Sequence, residues 1–140
     1  MAFVFVYGSL KRGLCNHRLM REAEFRGNAV TVSPAFRMGN VGQYPEITRT
    51  QDAEAGYVLG EVYACSPSLL EELDKLECNG EWYQREKIQL RITDAKEPES
   101  DELVVAWVYL WLKPRHPDVK PVRFESGLPV YEWRRENELM

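Results

Sequence analysis

The chain has 140 residues, 44% of them hydrophobic, and a net charge of −4. A chain of that length suits one domain that buries roughly two-thirds of its surface around a single core. The acidic balance speaks against general nucleic-acid binding, which needs a basic footprint. No apolar run approaches the roughly 18 residues that span a bilayer. The N-terminus enters a strand-like run with no basic leader, so a cytoplasmic protein is the expectation.

Residues 3–7, Phe3-Val4-Phe5-Val6-Tyr7, form an unbroken run of β-formers and predict a strand buried on both faces. It stops at Gly8-Ser9. Glycine permits positive φ or the close approach of another group, and serine can turn the chain. Such an exit turn gathers backbone N–H groups and suits an anion; an ordinary strand and turn is the other reading. Residues 11–24 predict a loop running into a short helix, with Asn16 as cap, Leu19, Met20 and Ala23 as its apolar stripe and Gly27 as its stop. Residues 28–36 predict a strand broken at Pro34. Residues 38–45 are rich in glycine and closed by proline, predicting a loop that holds Tyr44 extended before Pro45. Residues 48–55 predict a solvated hairpin or loop.

Residues 56–65 alternate and predict a strand. Ser66-Pro67 pairs a capping serine with proline at the first helical position, which predicts a helix over 67–77 that stops at Asn79-Gly80. Residues 83–92 and 103–112 alternate as strands, joined by an acidic loop over 94–101. Residues 114–121 predict a proline-marked turn. The aromatic residues of the tail, Phe124, Tyr131 and Trp133, predict that it folds back over the body. The pattern is α+β: a mixed, mainly antiparallel sheet of five or six strands, curled toward a small barrel, with one main helix. Residues 1–140 form the single domain expected.

Three cysteines, Cys15, Cys65 and Cys78, give no regular disulfide framework, and with only His17 and His116 they do not make a zinc site. Cys15 and His17 stand two residues apart, poor geometry for a nucleophile and its base. All three read as reduced thiols packed as small apolar groups.

The sharpest signal lies on the helix. At about 100° per residue, Leu69, Leu70, Leu73 and Leu76 share one arc, and Glu77 falls inside it. A carboxyl aimed at the core side loses water, and the negative helix end acts in the same direction. That poises Glu77 for general acid–base work; swinging out to water from a frayed helix end is the alternative. Beyond it, Tyr83 and Arg85 share one strand face, with Trp82 and Gln84 on the other. Tyr83 and Tyr109 could bring hydroxyls to a cavity, and Arg85 could pair with a carboxylate; core packing and a surface ion pair are the competing readings.

In this order, Tyr7-Gly8-Ser9-Leu10-Lys11-Arg12-Gly13 with Asn16-His17-Arg18, Tyr44-Pro45, Gly60-Glu61-Val62-Tyr63, Leu73-Asp74-Lys75-Leu76-Glu77 and Tyr83-Gln84-Arg85 resemble the γ-glutamylcyclotransferase superfamily, AIG2-like, and its γ-glutamylamine cyclotransferase branch in particular. Glu125-Ser126-Gly127 and Arg135-Glu136-Asn137 extend the likeness to the tail. The resemblance implies a barrel-like α+β fold with one cavity and no metal or cofactor. It implies a lyase reaction in which the α-amine of a γ-glutamyl group attacks its own γ-carbonyl, releasing an amine and 5-oxoproline. It implies Glu77 as the catalytic residue, Tyr7, Gly8, Ser9 and Leu10 as the substrate-holding turn, and Tyr83 and Tyr109 as cavity walls. Arg85 and Tyr44 are further candidates. The expected partner is a small γ-glutamyl compound, with no nucleic acid or membrane, bound by a monomer or weak homodimer. The leaving amine is open between a γ-glutamylamine such as γ-glutamyl-ε-lysine, a γ-glutamyl amino acid and a protected biosynthetic intermediate. A non-catalytic binding module is the remaining reading.

Overall fold

The computed structural model describes residues 2–14, 16–42, 44–77, 79–93, 102–114 and 116–138. Cys15, Cys78 and the acidic loop over 94–101 lie outside the described residues. Strand β1 (Ala2–Val6) runs antiparallel to β5 (Tyr57–Cys65) and parallel to β7 (Leu103–Trp111). β7 pairs with β6 (Tyr83–Ile92), β6 with β2 (Glu24–Thr31), and β2 with β5, so five strands close on themselves. This is the barrel-like, mainly antiparallel α+β sheet that the pattern predicts. Helix α1 (Pro67–Leu76) is its main helix.

Period-two alternation explains the two apolar layers. Phe5, Ala29, Val62, Leu90 and Val108 come from all five barrel strands and meet in one buried cluster. The opposite-facing Val4, Val6, Tyr63, Tyr109 and Trp111 pack with Leu69 and Leu73 of α1 in a second. β1 is buried on both faces because it belongs to both. The Ser66 hydroxyl accepts from the Leu69 N–H and caps α1. Leu76 departs from the expected apolar arc: at the last helical turn it is 48% exposed.

Four other expectations change. The helix expected before Gly27 is a single 3-10 turn, His17–Met20, and Asn16 makes no side-chain cap to it. Gly27 stops no helix; with φ 143° it sits at a register shift inside β2, which begins at Glu24. Pro34 lies between β2 and the next strand. The expected loop over 38–45 is mostly hairpin: β3 (Phe36–Asn40) pairs with β4 (Pro45–Arg49) around a short turn. Proline is tolerated there because it opens its strand. Phe36, Met38 and Ile47 of this hairpin join the core of the barrel strands, an apolar payload outweighed in the sequence by its glycines and proline.

The tail folds back as expected. β8 (Arg123–Glu125) and β9 (Leu128–Tyr131) form a hairpin whose second strand runs parallel to β5. Trp133 is fully buried, while Phe124 stays exposed. A short helix α2 (Arg135–Glu138) follows. The described residues hold nine strands rather than five or six. Among them no helix is long and apolar enough to cross a membrane.

Candidate active site

Because β1 and β7 are parallel, both chains leave the sheet at the same edge, and antiparallel β6 begins there: Tyr83 stands opposite Trp111. The end of α1 and the β3–β4 turn reach the same edge. Together they enclose a cavity of about 380 Å³, within the usual range for a small-molecule site. Tyr7, Gly8, Ser9 and Leu10 line it from the β1 exit, Glu77 from the helix end, Tyr83 from β6, Tyr109 from β7 and Tyr44 from the hairpin.

Glu77 is half-buried at the C-cap of α1, its N–H bonded to the Leu73 carbonyl at 2.9 Å. Burial pushes its carboxyl up to about 7 from an ordinary value of 4.5. Among the described residues no side chain pairs with it. The carboxyl lines the cavity.

The three tyrosines hold their hydroxyl protons inward. Tyr7 donates to the Tyr109 carbonyl at 2.6 Å, Tyr83 to the Pro45 carbonyl at 2.9 Å, and Tyr109 to Asp74 Oδ1 at 2.7 Å. Each is raised well above the ordinary phenol range, first by burial, with the nearby Glu77 charge adding to the effect. With their single protons spent, the Tyr83 and Tyr109 oxygens have lone pairs left for a donor in the cavity, whereas the Tyr7 oxygen already meets the backbone N–H of Ile47.

The exit turn is closed by the Lys11 N–H donating to the Gly8 carbonyl and the Asn16 N–H to the Ser9 carbonyl. Asn16 Nδ2 also donates to Ser9 Oγ at 2.9 Å, so this residue braces the turn instead of capping a helix. Gly8 is not in the left-handed region; it supplies room, since a Cβ there would stand 2.7 Å from Pro45 Cγ. Among the described residues the N–H groups of Gly8, Ser9 and Leu10 meet no protein acceptor.

A family model, gamma-glutamyl cyclotransferase, AIG2-like, matches residues 4–135. The chain belongs to this family. Among AIG2-like relatives, it is 34% identical to the human gamma-glutamylaminecyclotransferase over 109 residues, covering 73% of this chain and 70% of that one. It is 35% identical to gamma-glutamylaminecyclotransferase C of Danio rerio over 135 residues, covering 81% and 82%. The crystal structure of an AIG2-like protein from Mus musculus superposes with a TM-score of 0.66 at 30% identity, covering 96% of this chain and 97% of that one.

Of the residues singled out in the sequence of this AIG2-like chain, Arg85 alone stays outside the cavity. It forms an ion pair with Asp74 at 3.2 Å and lies 4.3 Å over the Trp107 ring, behind Tyr109. Trp82 and Trp111 also line the cavity, and Trp111 carries no local signal for that role in the sequence. Trp82 sits in the turn before β6, where strand alternation does not apply, and its ring centroid is 5.8 Å from that of Trp111. The tail contributes no described residue to the cavity. Cys65 is fully buried, its thiol pushed up to about 11 by burial, which leaves it inert.

Proposed function

We propose that the protein converts γ-glutamylamines, such as γ-glutamyl-ε-lysine, to 5-oxoproline and a free amine. One observation carries the reading: the Glu77 carboxyl, pushed up to about 7, lines the same cavity as the Gly8–Leu10 turn. A substrate ammonium cannot attack a carbonyl until it loses a proton. Glu77 as carboxylate takes that proton, and a base that titrates near neutral pH is well matched to the task. The freed α-amine forms its bond to the γ-carbonyl carbon, the ring closes, and the ring nitrogen gives up its second proton to water. The bond from that carbon to the leaving nitrogen then breaks, and Glu77 returns the proton to the departing amine. The step is intramolecular, so holding the substrate folded removes much of its entropic barrier.

The N–H groups of Gly8, Ser9 and Leu10 hold the substrate carboxylate or the developing oxyanion. The phenol oxygens of Tyr83 and Tyr109 accept from the substrate's amine and amide N–H groups, and Tyr7, bonded to the Tyr109 carbonyl and the Ile47 N–H, fixes the wall beside them. Support for this assignment comes from the inward donation of all three hydroxyls.

The test is 5-oxoproline release from γ-glutamyl-ε-lysine. Glu77→Gln is expected to lower kcat on the order of 10²- to 10⁴-fold. In the unaltered protein, kcat/KM is expected to rise with pH through about 7 as Glu77 loses its proton. Undiminished turnover by the Gln variant would remove Glu77 from its role.

A further inference from the structure

Residues 60–63, part of the family likeness, do not line the cavity, yet Glu61 meets both ends of the turn that does. On β5, Glu61 stands opposite Val6, the last residue of β1. The chain leaves the sheet there, turns through 7–11 and comes back at Arg12, whose backbone N–H donates to Glu61 Oε1 at 2.9 Å. Glu61 is 8% exposed, and its carboxylate accepts twice more: from the Tyr63 hydroxyl at Oε1, 2.9 Å, and from Arg12 Nε at Oε2, 3.4 Å. Burial, and next the bond to Glu61, hold the Tyr63 phenol well above its usual range, so its proton remains to be donated. The Arg12 guanidinium lies 3.9 Å over the Phe25 ring, which packs edge-on against Tyr63 with 5.5 Å between centroids. Inside the turn, His17 Nδ1 lies 3.0 Å from the Leu10 carbonyl, beside the bonds already made to the Gly8 and Ser9 carbonyls. Aligned amide dipoles repel one another. A row of N–H groups without acceptors therefore keeps its shape only if the chain on either side is fixed.

We propose that Glu61 is the positioning residue of this turn: by binding the Arg12 N–H from its place opposite Val6, it holds the N–H groups of Gly8, Ser9 and Leu10 in one arrangement before substrate arrives. The inference rests on the cyclotransferase reading for its effect on turnover, and not for its effect on the turn itself. Donors fixed beforehand need no reorganisation when charge develops. A misplacement of about 1 Å, caused by a residue away from the chemistry, costs on the order of 10²-fold in rate. The brace acts through acceptance at one sheltered oxygen and not through net charge. The Arg12 side chain is half exposed, so its ion pair with Glu61 contributes little.

The experiment measures kcat/KM for 5-oxoproline release from γ-glutamyl-ε-lysine, per folded molecule, together with hydrogen exchange at the Lys11 and Asn16 amides, whose bonds close the turn. Glu61→Ala is expected to lower kcat/KM on the order of 10²-fold. It is also expected to speed exchange at those amides by at least about tenfold, with the amides of β6 and β7 unchanged. Glu61→Gln keeps an oxygen for the Arg12 N–H and the Tyr63 hydroxyl, and is expected to stay within about threefold of the unaltered protein in both measurements. Glu61→Asp keeps the charge but falls one methylene short of Arg12. It is expected to behave as the alanine variant, and carries the test if that variant does not fold. A Gln variant as slow as the alanine variant, or unchanged exchange at Lys11 and Asn16, would overturn the assignment. So would exchange that speeds equally through β6 and β7, the mark of a merely structural role. Should the unaltered protein release no 5-oxoproline, the cyclotransferase reading itself falls. Exchange then decides alone: acceleration confined to the turn supports the brace, and any other pattern refutes it.

Discussion

Glu46, on β4, and Glu77, at the end of α1, are both withdrawn from water, and the fold treats them in opposite ways. Glu46 is fully buried and accepts from Arg37 Nη1 at 2.8 Å. The N–H of His116 reaches the same oxygen at 3.3 Å, and His116 Nδ1 lies 3.3 Å from the other. Arg37, itself 1% exposed, also donates to Asp118 and to the His116 carbonyl. Every member of this group has partners, so its charges fix geometry: they tie the β3–β4 hairpin to the segment after β7. Glu77 lines a cavity and has no side-chain partner among the described residues. Removing water from it without supplying a cation raises its proton affinity and leaves a carboxyl able to exchange protons near neutral pH. Burial that is compensated by partners serves structure, whereas burial without compensation raises a carboxyl's proton affinity.

The contrast breaks most visibly if the paired acid is removed. Glu46→Ala leaves a buried guanidinium short of one carboxylate, and a loss of about 3 kcal/mol is expected in urea unfolding. A neutral outcome there would mean that the cluster is not holding the hairpin.

The second test works on stability at the unpaired acid and has the opposite sign. A folded carboxyl that titrates near 7 binds more protons than its unfolded counterpart at 4.5, so stability falls as pH rises between those values. Above pH 7 the full cost of burying the charge, about 3 kcal/mol, is present. Glu77→Gln is therefore expected to raise Tm at pH 8 and to match the unaltered protein near pH 4. A variant equally stable at both pH values would show that the carboxyl is well solvated.

The smallest effect is expected beside the cavity. Tyr109→Phe removes the hydroxyl bonded to Asp74 but leaves Asp74 paired with Arg85. A cost of about 1 kcal/mol is expected in the same unfolding assay. A loss as large as that of Glu46→Ala would place Asp74 among the structural charges instead.

Some of this was legible in the chain. β5, β6 and β7 are long enough for alternation to show, β1 is an unbroken run of β-formers, and α1 announces itself through Ser66-Pro67 and its leucines. Glu77 could be picked out by helical angle, because that angle depends on a few neighbouring residues. The β3–β4 hairpin was hidden because Gly39, Asn40 and Pro45 mark turns locally, whereas the burial that makes it a hairpin comes from strands distant in sequence.

What the sequence determined by itself is therefore the local set: the central strand and its exit turn, the capped helix, and an acid on that helix's apolar side. Only the tertiary structure decided that Arg85 faces Asp74 behind the cavity, that Trp82 and Trp111 adjoin, and that Glu46 finds Arg37 and His116 while Glu77 finds no side-chain partner among the described residues. The first kind of fact follows from backbone periodicity over a few residues. The second depends on which strands close the barrel, a choice made by burial summed over the whole chain.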